Sequence, residues 1–156
     1  MKANRTLLAL LALTLPAGAT NYTWDGGGAD SNWATADNWS ANGVPVDGDT
    51  LTWDGSGGSN VKFANANNLP ADTDIAGLSF INAIGGHTLS GNRIELTGNI
   101  SNTTSNITGV QTLNFDILLS GATRTFTASP SVTLTSGNTY ALSFNGEISG
   151  DQGLIL

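Results

Sequence analysis

Three of the chain's four tryptophans fall within one stretch, WDGGGADSNWATADNW from Trp24 to Trp39, and the fourth, Trp53, follows in TLTWDG. Indole rings beside Asp and Asn are the side chains that hold sugars, because the ring face stacks on a sugar ring while carboxylates and amides take its hydroxyls. Tyr22, Trp24, Trp33, Trp39 and Trp53 are therefore a candidate glycan-binding face. The same rings could instead fill the base of a small cap that has no cysteines and few aliphatic residues. A large apolar side chain gains roughly 1.5 to 3 kcal/mol on burial, so a module of this size can hardly leave all four indoles in water. Cap core is the favoured reading, with one ring, Trp33 or Trp39, left exposed.

Two runs of hard oxygen ligands invite calcium: Asp25, Asp30 and Asn32, and the pair Asp47 and Asp49. Neither has EF-hand spacing, and GGGADSNWA lacks the full register of calcium-binding β-roll repeats. Asx turns account for these residues more simply, so no cofactor is required, with calcium as a cap staple the alternative. Catalysis has less support. His87 is the only histidine, set among turn residues in GGHTLSG with no cysteine and no serine elbow nearby. Asp116 and Glu147 could lie on one face, and two carboxylates held across a cleft hydrolyse glycosides. Solubilising charge on the flank of a sheet explains them equally well, and the chain reads as a non-enzyme.

The elements that position these residues begin after a leader. Lys2 and Arg5, the apolar run LLALLALTL and the small residues Ala17-Gly18-Ala19 form the pattern of a signal peptide over residues 1–19. The apolar run is too short to span a bilayer, so the mature chain is expected to be exported with no transmembrane segment. Without the leader, three cations (Lys62, Arg93 and Arg124) face twelve acids, a net charge of −9. That surface repels phosphates, which makes nucleic acid and anionic lipid poor partners. Twenty glycines and four prolines fit a chain of many tight turns.

The mature chain divides in two. Residues 20–73 read as an aromatic, Gly- and Asp-rich cap, with short strands in NYTW, TLTW and NVKF. The last two flank DGSGGS and are expected to pair as a hairpin. Residues 74–156 carry a repeat: LSFINAIG from Leu78, IELTGNIS from Ile94, LNFDILLS from Leu113 and LSFNGEIS from Leu142. Each has a large apolar residue at its first, third and seventh positions and Ser or Gly at the eighth. One such segment buries too little apolar surface to be stable alone. Parallel stacking of successive copies merges their apolar faces into one column, the logic of a β-solenoid. An antiparallel β-sandwich also alternates apolar and polar residues, but gives no reason for this register to recur.

GLSFINAIGGHTLSGNRIELTGNIS, with NFDILLSGATRTFTASPSVTLTSGNTYALSFNGEISGDQGL, resembles the autotransporter-associated β-strand repeat proteins. YTWDGGGADSNWATADNW with GVPVDGDTLTWDG is similar to the segment that often precedes those repeats. The resemblance implies a right-handed parallel β-helix passenger, exported by bacteria to the cell surface or medium, with no shared catalytic residues. The smallest translocating barrel needs eight strands of ~10 residues, more than follows the repeats here. GLIL is therefore expected to be an open strand edge, covered by further repeats or by self-association. The function expected from sequence is a structural or adhesive passenger that binds through outer Thr, Ser and Asn side chains. The alternative is an extracellular carbohydrate-binding or carbohydrate-active module.

Overall fold

The computed structural model describes residues 18–55, 62–82, 85–103, 109–128 and 142–156. The leader's basic start and apolar run lie outside them, as do Asn60, Val61 and Ile84 of the segments quoted above.

The described chain is a parallel β-solenoid with three walls. The first wall is a four-stranded sheet of β3 (Ala64–Asn67), β5 (Thr88–Gly91), β7 (Gln111–Leu113) and β10 (Leu142–Phe144). The other two walls share one bent sheet. β4 (Thr73–Ile81) and β6 (Ile94–Asn102) cross from the second wall to the third, and β4 shifts register between Ile75 and Gly77 as it does so. A bulge of this kind bends a strand without ending it. Below them the crossing splits in two: β8 (Ile117–Leu119) continues the second wall and β9 (Arg124–Ala128) the third. β11 (Ile148–Ser149) and β12 (Leu154–Ile155) extend the two walls by one more rung.

Alternation does the folding. Along most strands the inward residues are apolar and the outward ones small or polar, with Asn65, Asn67 and Gln111 the inward polar exceptions on the first wall, and parallel pairing stacks the apolar residues of successive coils. One inner column on the second wall runs Thr73, Ile94, Ile117, Ile148, and another Ile75, Leu96, Leu119. On the third wall Tyr22, Leu51, Leu78, Ile100 and Phe126 are stacked. Ladder pairing is parallel throughout the described strands, which excludes the β-sandwich; the one antiparallel contact is an isolated bridge between Trp24 and Trp39.

Three sequence expectations need correction. The octads do not stack in register: Leu78, first in its octad, pairs with Ile100, seventh in the next. Leu113 pairs with Leu89 and Phe144, while Leu142 pairs with Gln111. Each wall presents the same apolar-x-apolar spacing, so segments from different walls look like copies of one. The hairpin does not form, because β2 (Asp49–Asp54) has β1 (Asn21–Trp24) on one side and β4 on the other, both parallel. For the same reason residues 20–73 are not a separate cap: β1 and β2 are the first rungs of the third wall, and the expected boundary falls inside β4. What does cap that end is the connection from Asp25 to Gly48, which holds a single 3-10 turn, Ala36–Asn38.

Candidate functional site

The structure brings all four indoles together, but inside. Trp24 is 1 % exposed, and Trp33, Trp39 and Trp53 are fully buried. No ring face is left for a sugar, and the expectation that Trp33 or Trp39 would be exposed is corrected. Trp39 sits at the centre, edge-on to Trp24 at 5.0 Å, Trp53 at 5.9 Å and Trp33 at 6.2 Å, with Tyr22 beyond at 6.1 Å. Edge-to-face contact suits the charge distribution of aromatic rings. A buried indole N–H still needs an acceptor. Trp24 donates to the Lys62 carbonyl, Trp33 to Asn65 Oδ1 and Trp39 to the Trp33 carbonyl. Trp53 Nε1 has no partner among the described residues.

The candidate calcium ligands are occupied by the backbone around them. Asp25 Oδ1 accepts from Gly27 N–H and Asp30 Oδ1 from Asn32 N–H, both Asx turns. The hydrogen bond from the Asn32 backbone, with those of neighbouring side chains, holds the Asp30 carboxyl below the usual carboxylate range. A cation does lie in this loop: the Lys62 ammonium donates to the carbonyls of Gly28 and Asp30. Asp47 accepts from Asp74 N–H, and the buried Asp49 accepts from Thr20 N–H and Val46 N–H, tying the capping connection to β1 and β4. Among the described residues no three His, Cys, Asp or Glu side chains converge on a point.

Asp116 and Glu147 are neighbours by stacking, not across a cleft. Each immediately precedes a paired isoleucine, Ile117 or Ile148, so they occupy one corner of successive coils. Asp116 Oδ1 accepts from Glu147 N–H at 2.8 Å. Arg93 and Asp72 hold the same corner one and two rungs above Asp116, joined by a bridge of 2.5 Å. That contact lowers the Asp72 pKa and raises that of Arg93, to which Asp116 and Glu147 add smaller contributions.

His87 is fully buried between the rings of Phe63 at 5.1 Å and Phe80 at 6.4 Å, and neither ring nitrogen has a partner among the described residues. Burial pushes its pKa down to about 4, so the imidazole is neutral at pH 7. It has no substrate-facing side.

The concave surface lies on the outside of the third wall, at residues that sequence reading left unnamed. A groove of about 540 Å³ runs across the strands and is lined by Asn21, Thr50, Thr52, Gly77, Ser79, Asn99, Ser101, Thr125 and Thr127, with Ala76 at the bend. One outer column is Thr23, Thr52, Ser79, Ser101, Thr127. Beside it Asn21, Thr50, Gly77 and Asn99 stack in the same way. Asn21 Oδ1 accepts from both Thr50 and Thr52, Asn99 Oδ1 accepts from Thr125 N–H, and Ser79 and Ser101 share a hydrogen bond of 3.2 Å. The signal in sequence was the alternation Thr50-Leu51-Thr52, Asn99-Ile100-Ser101 and Thr125-Phe126-Thr127, an apolar residue inward between two small polar ones outward.

Compared with protein-family models, curated proteins and solved structures, the chain matches none. Fold and site therefore define a class by geometry alone: a parallel β-solenoid with a closed aromatic end and an uncharged hydroxyl- and amide-lined groove. No helix among the described residues is long and apolar enough to cross a membrane.

Proposed function

We propose that this chain is a non-catalytic, exported passenger with a structural or adhesive role at or beyond the bacterial cell surface, of the kind that its resemblance to the autotransporter-associated repeat proteins implies. The observation that supports this reading is the outer third wall, where small polar side chains repeat rung after rung from β1 to β9. A wall of that kind offers many weak, equivalent contacts, which suits adhesion better than turnover. The acids best placed for hydrolysis, Asp116 and Glu147, sit on an exposed corner, with an Asp116 carboxylate oxygen engaged by the Glu147 backbone N–H and with Arg93 nearby.

The test is expression of the whole chain with its leader in a bacterial host. The mature protein is expected outside the cytoplasm, beginning at Thr20, and cells displaying it are expected to adhere to polysaccharide-coated surfaces without releasing reducing ends. Retention in the cytoplasm with the leader intact would defeat the reading. So would polysaccharide turnover that disappears in Asp116→Asn or Glu147→Gln.

A further inference from the structure

We infer that the groove on the third wall binds an extended, uncharged polysaccharide chain laid along the solenoid axis, across the strands. The inference deepens the adhesive reading above and rests on it for the choice of the outer wall as the binding surface.

The first argument is which polar atoms remain available. The side-chain oxygens of Asn21 and Asn99 are committed to the protein, and that fixes which way each amide points. Their Nδ2 groups make no hydrogen bond among the described residues, so two oriented donors line the groove. They lie three rungs apart, roughly 14 Å at ~4.8 Å per rung. Gly77 lies between them, and its missing side chain leaves a notch. Sugar hydroxyls are acceptors as well as donors, and complement amide N–H and serine or threonine O–H groups that can play both parts.

The second argument is charge. None of the groove's ten lining residues is ionisable, while the chain as a whole carries a large acidic surplus. An anionic glycan would meet that field with no cation in the groove to offset it, and a cationic ligand would find no carboxylate there. The third is period. The rung spacing is close to the rise of one sugar residue in an extended chain, so each sugar meets the same pair of outer columns as the last. A peptide strand would instead look for a sheet edge, where main-chain groups are unpaired. The groove lies on a sheet face whose main chain is already paired on both sides at β2, β4 and β6.

The experiment is calorimetric titration of the mature chain with hexasaccharides of the cellulose, xylan and mannan types, with hexagalacturonate as the charged control. At least one neutral hexasaccharide is expected to bind and hexagalacturonate to give no heat. Asn99→Asp keeps the oxygen that holds Thr125 and removes the outward donor. It is expected to weaken binding about tenfold, the scale of one or two lost hydrogen bonds, with the melting midpoint unchanged. Ser79→Val suits a strand and removes one hydroxyl, giving a second, independent variant with a smaller loss. The inference is overturned if no neutral hexasaccharide binds, if hexagalacturonate binds as well as the neutral chains, or if both variants bind like the parent. Adhesion without oligosaccharide binding would remove the groove and leave the adhesive reading standing. Binding accompanied by new reducing ends would remove the non-catalytic reading and leave the groove.

Discussion

Two regions of the solenoid's interior, the first rungs of the third wall and the second wall further along, are built from different materials. The third wall's first rungs bury Trp24 and Trp53 with Trp33 and Trp39 laid over them, whereas the second wall, further along, buries columns of Ile and Leu. An aliphatic column needs nothing but the next rung. Among the described residues the aromatic end has no rung above it, and the connection from Asp25 to Gly48 covers it with irregular backbone. A few flat rings cover that area with little chain. The polar groups of the irregular backbone are then met by Asn38, Asp30 and the Lys62 ammonium. The lesson is that closing a solenoid takes specific polar chemistry, while extending it takes only alternation.

Trp39→Ala tests that contrast most severely. It empties the centre of the ring cluster and removes the N–H bond to Trp33, and is expected to cost about 3 to 5 kcal/mol. Hydrogen exchange on the variant should show protection lost across β1 and β2 and kept across β6 and β8. Uniform loss would mean that the two regions unfold as one unit, and the comparison would break.

His87 lies where the regions meet and gives a pH signature. Its folded pKa of about 4 is below the ordinary value of 6.5, so folding excludes a proton that the unfolded chain binds. Stability is therefore complete above about pH 6.5, falls as pH drops, and levels off below about 4, a total loss on the order of 3 kcal/mol. Asp30 and Asp72, with lowered values, lose their contribution only below the ordinary carboxylate range, so the window between belongs to His87. His87→Leu should flatten that slope in acid denaturation curves and stabilise the chain by about 1 kcal/mol at pH 7, where an unpaired imidazole is still buried. An unchanged slope would contradict the burial.

Within the aliphatic coils, the sharpest constraint is a glycine. A Cβ on Gly98 would lie 1.6 Å from the Ala76 carbonyl oxygen, at the bend where β4 and β6 pass from one wall to the next. Gly98→Ala must displace backbone and is expected to cost about 1 to 3 kcal/mol, read as a lower melting midpoint with exchange loss centred on β4 and β6 rather than on β1.

Much of this was legible in the sequence, and the failures have physical reasons. The alternating segments after Asp74 announced a solenoid, and the cost of exposing indoles announced their burial. Register was illegible, because Leu78, Ile94 and Leu113 begin similar segments on three different walls. Inward Asn65, Asn67 and Gln111 also defeated any apolar template for the first wall; they are buried, and each bonds backbone or an indole. The groove was legible as a type, outer Thr, Ser and Asn, but its members emerge only when strands far apart in sequence are stacked.

The smallest expected effect separates corner from core. Asp72, Arg93, Asp116 and Glu147 occupy one corner of successive coils, and Arg93 is the only cation among them. Arg93→Gln leaves Asp116 and Glu147 one rung apart, ~4.8 Å, and Asp72 two rungs above Asp116, where repulsion is weak in water and screened by salt. The melting midpoint should fall slightly at low ionic strength and return to that of the parent at high salt. Asp72→Asn, which removes the partner and one acid together, should fall less. A salt-insensitive loss in Arg93→Gln would mean that the arginine acts by packing its stem on the corner, and the contrast between a structural interior and a merely solvated edge would have to be redrawn there.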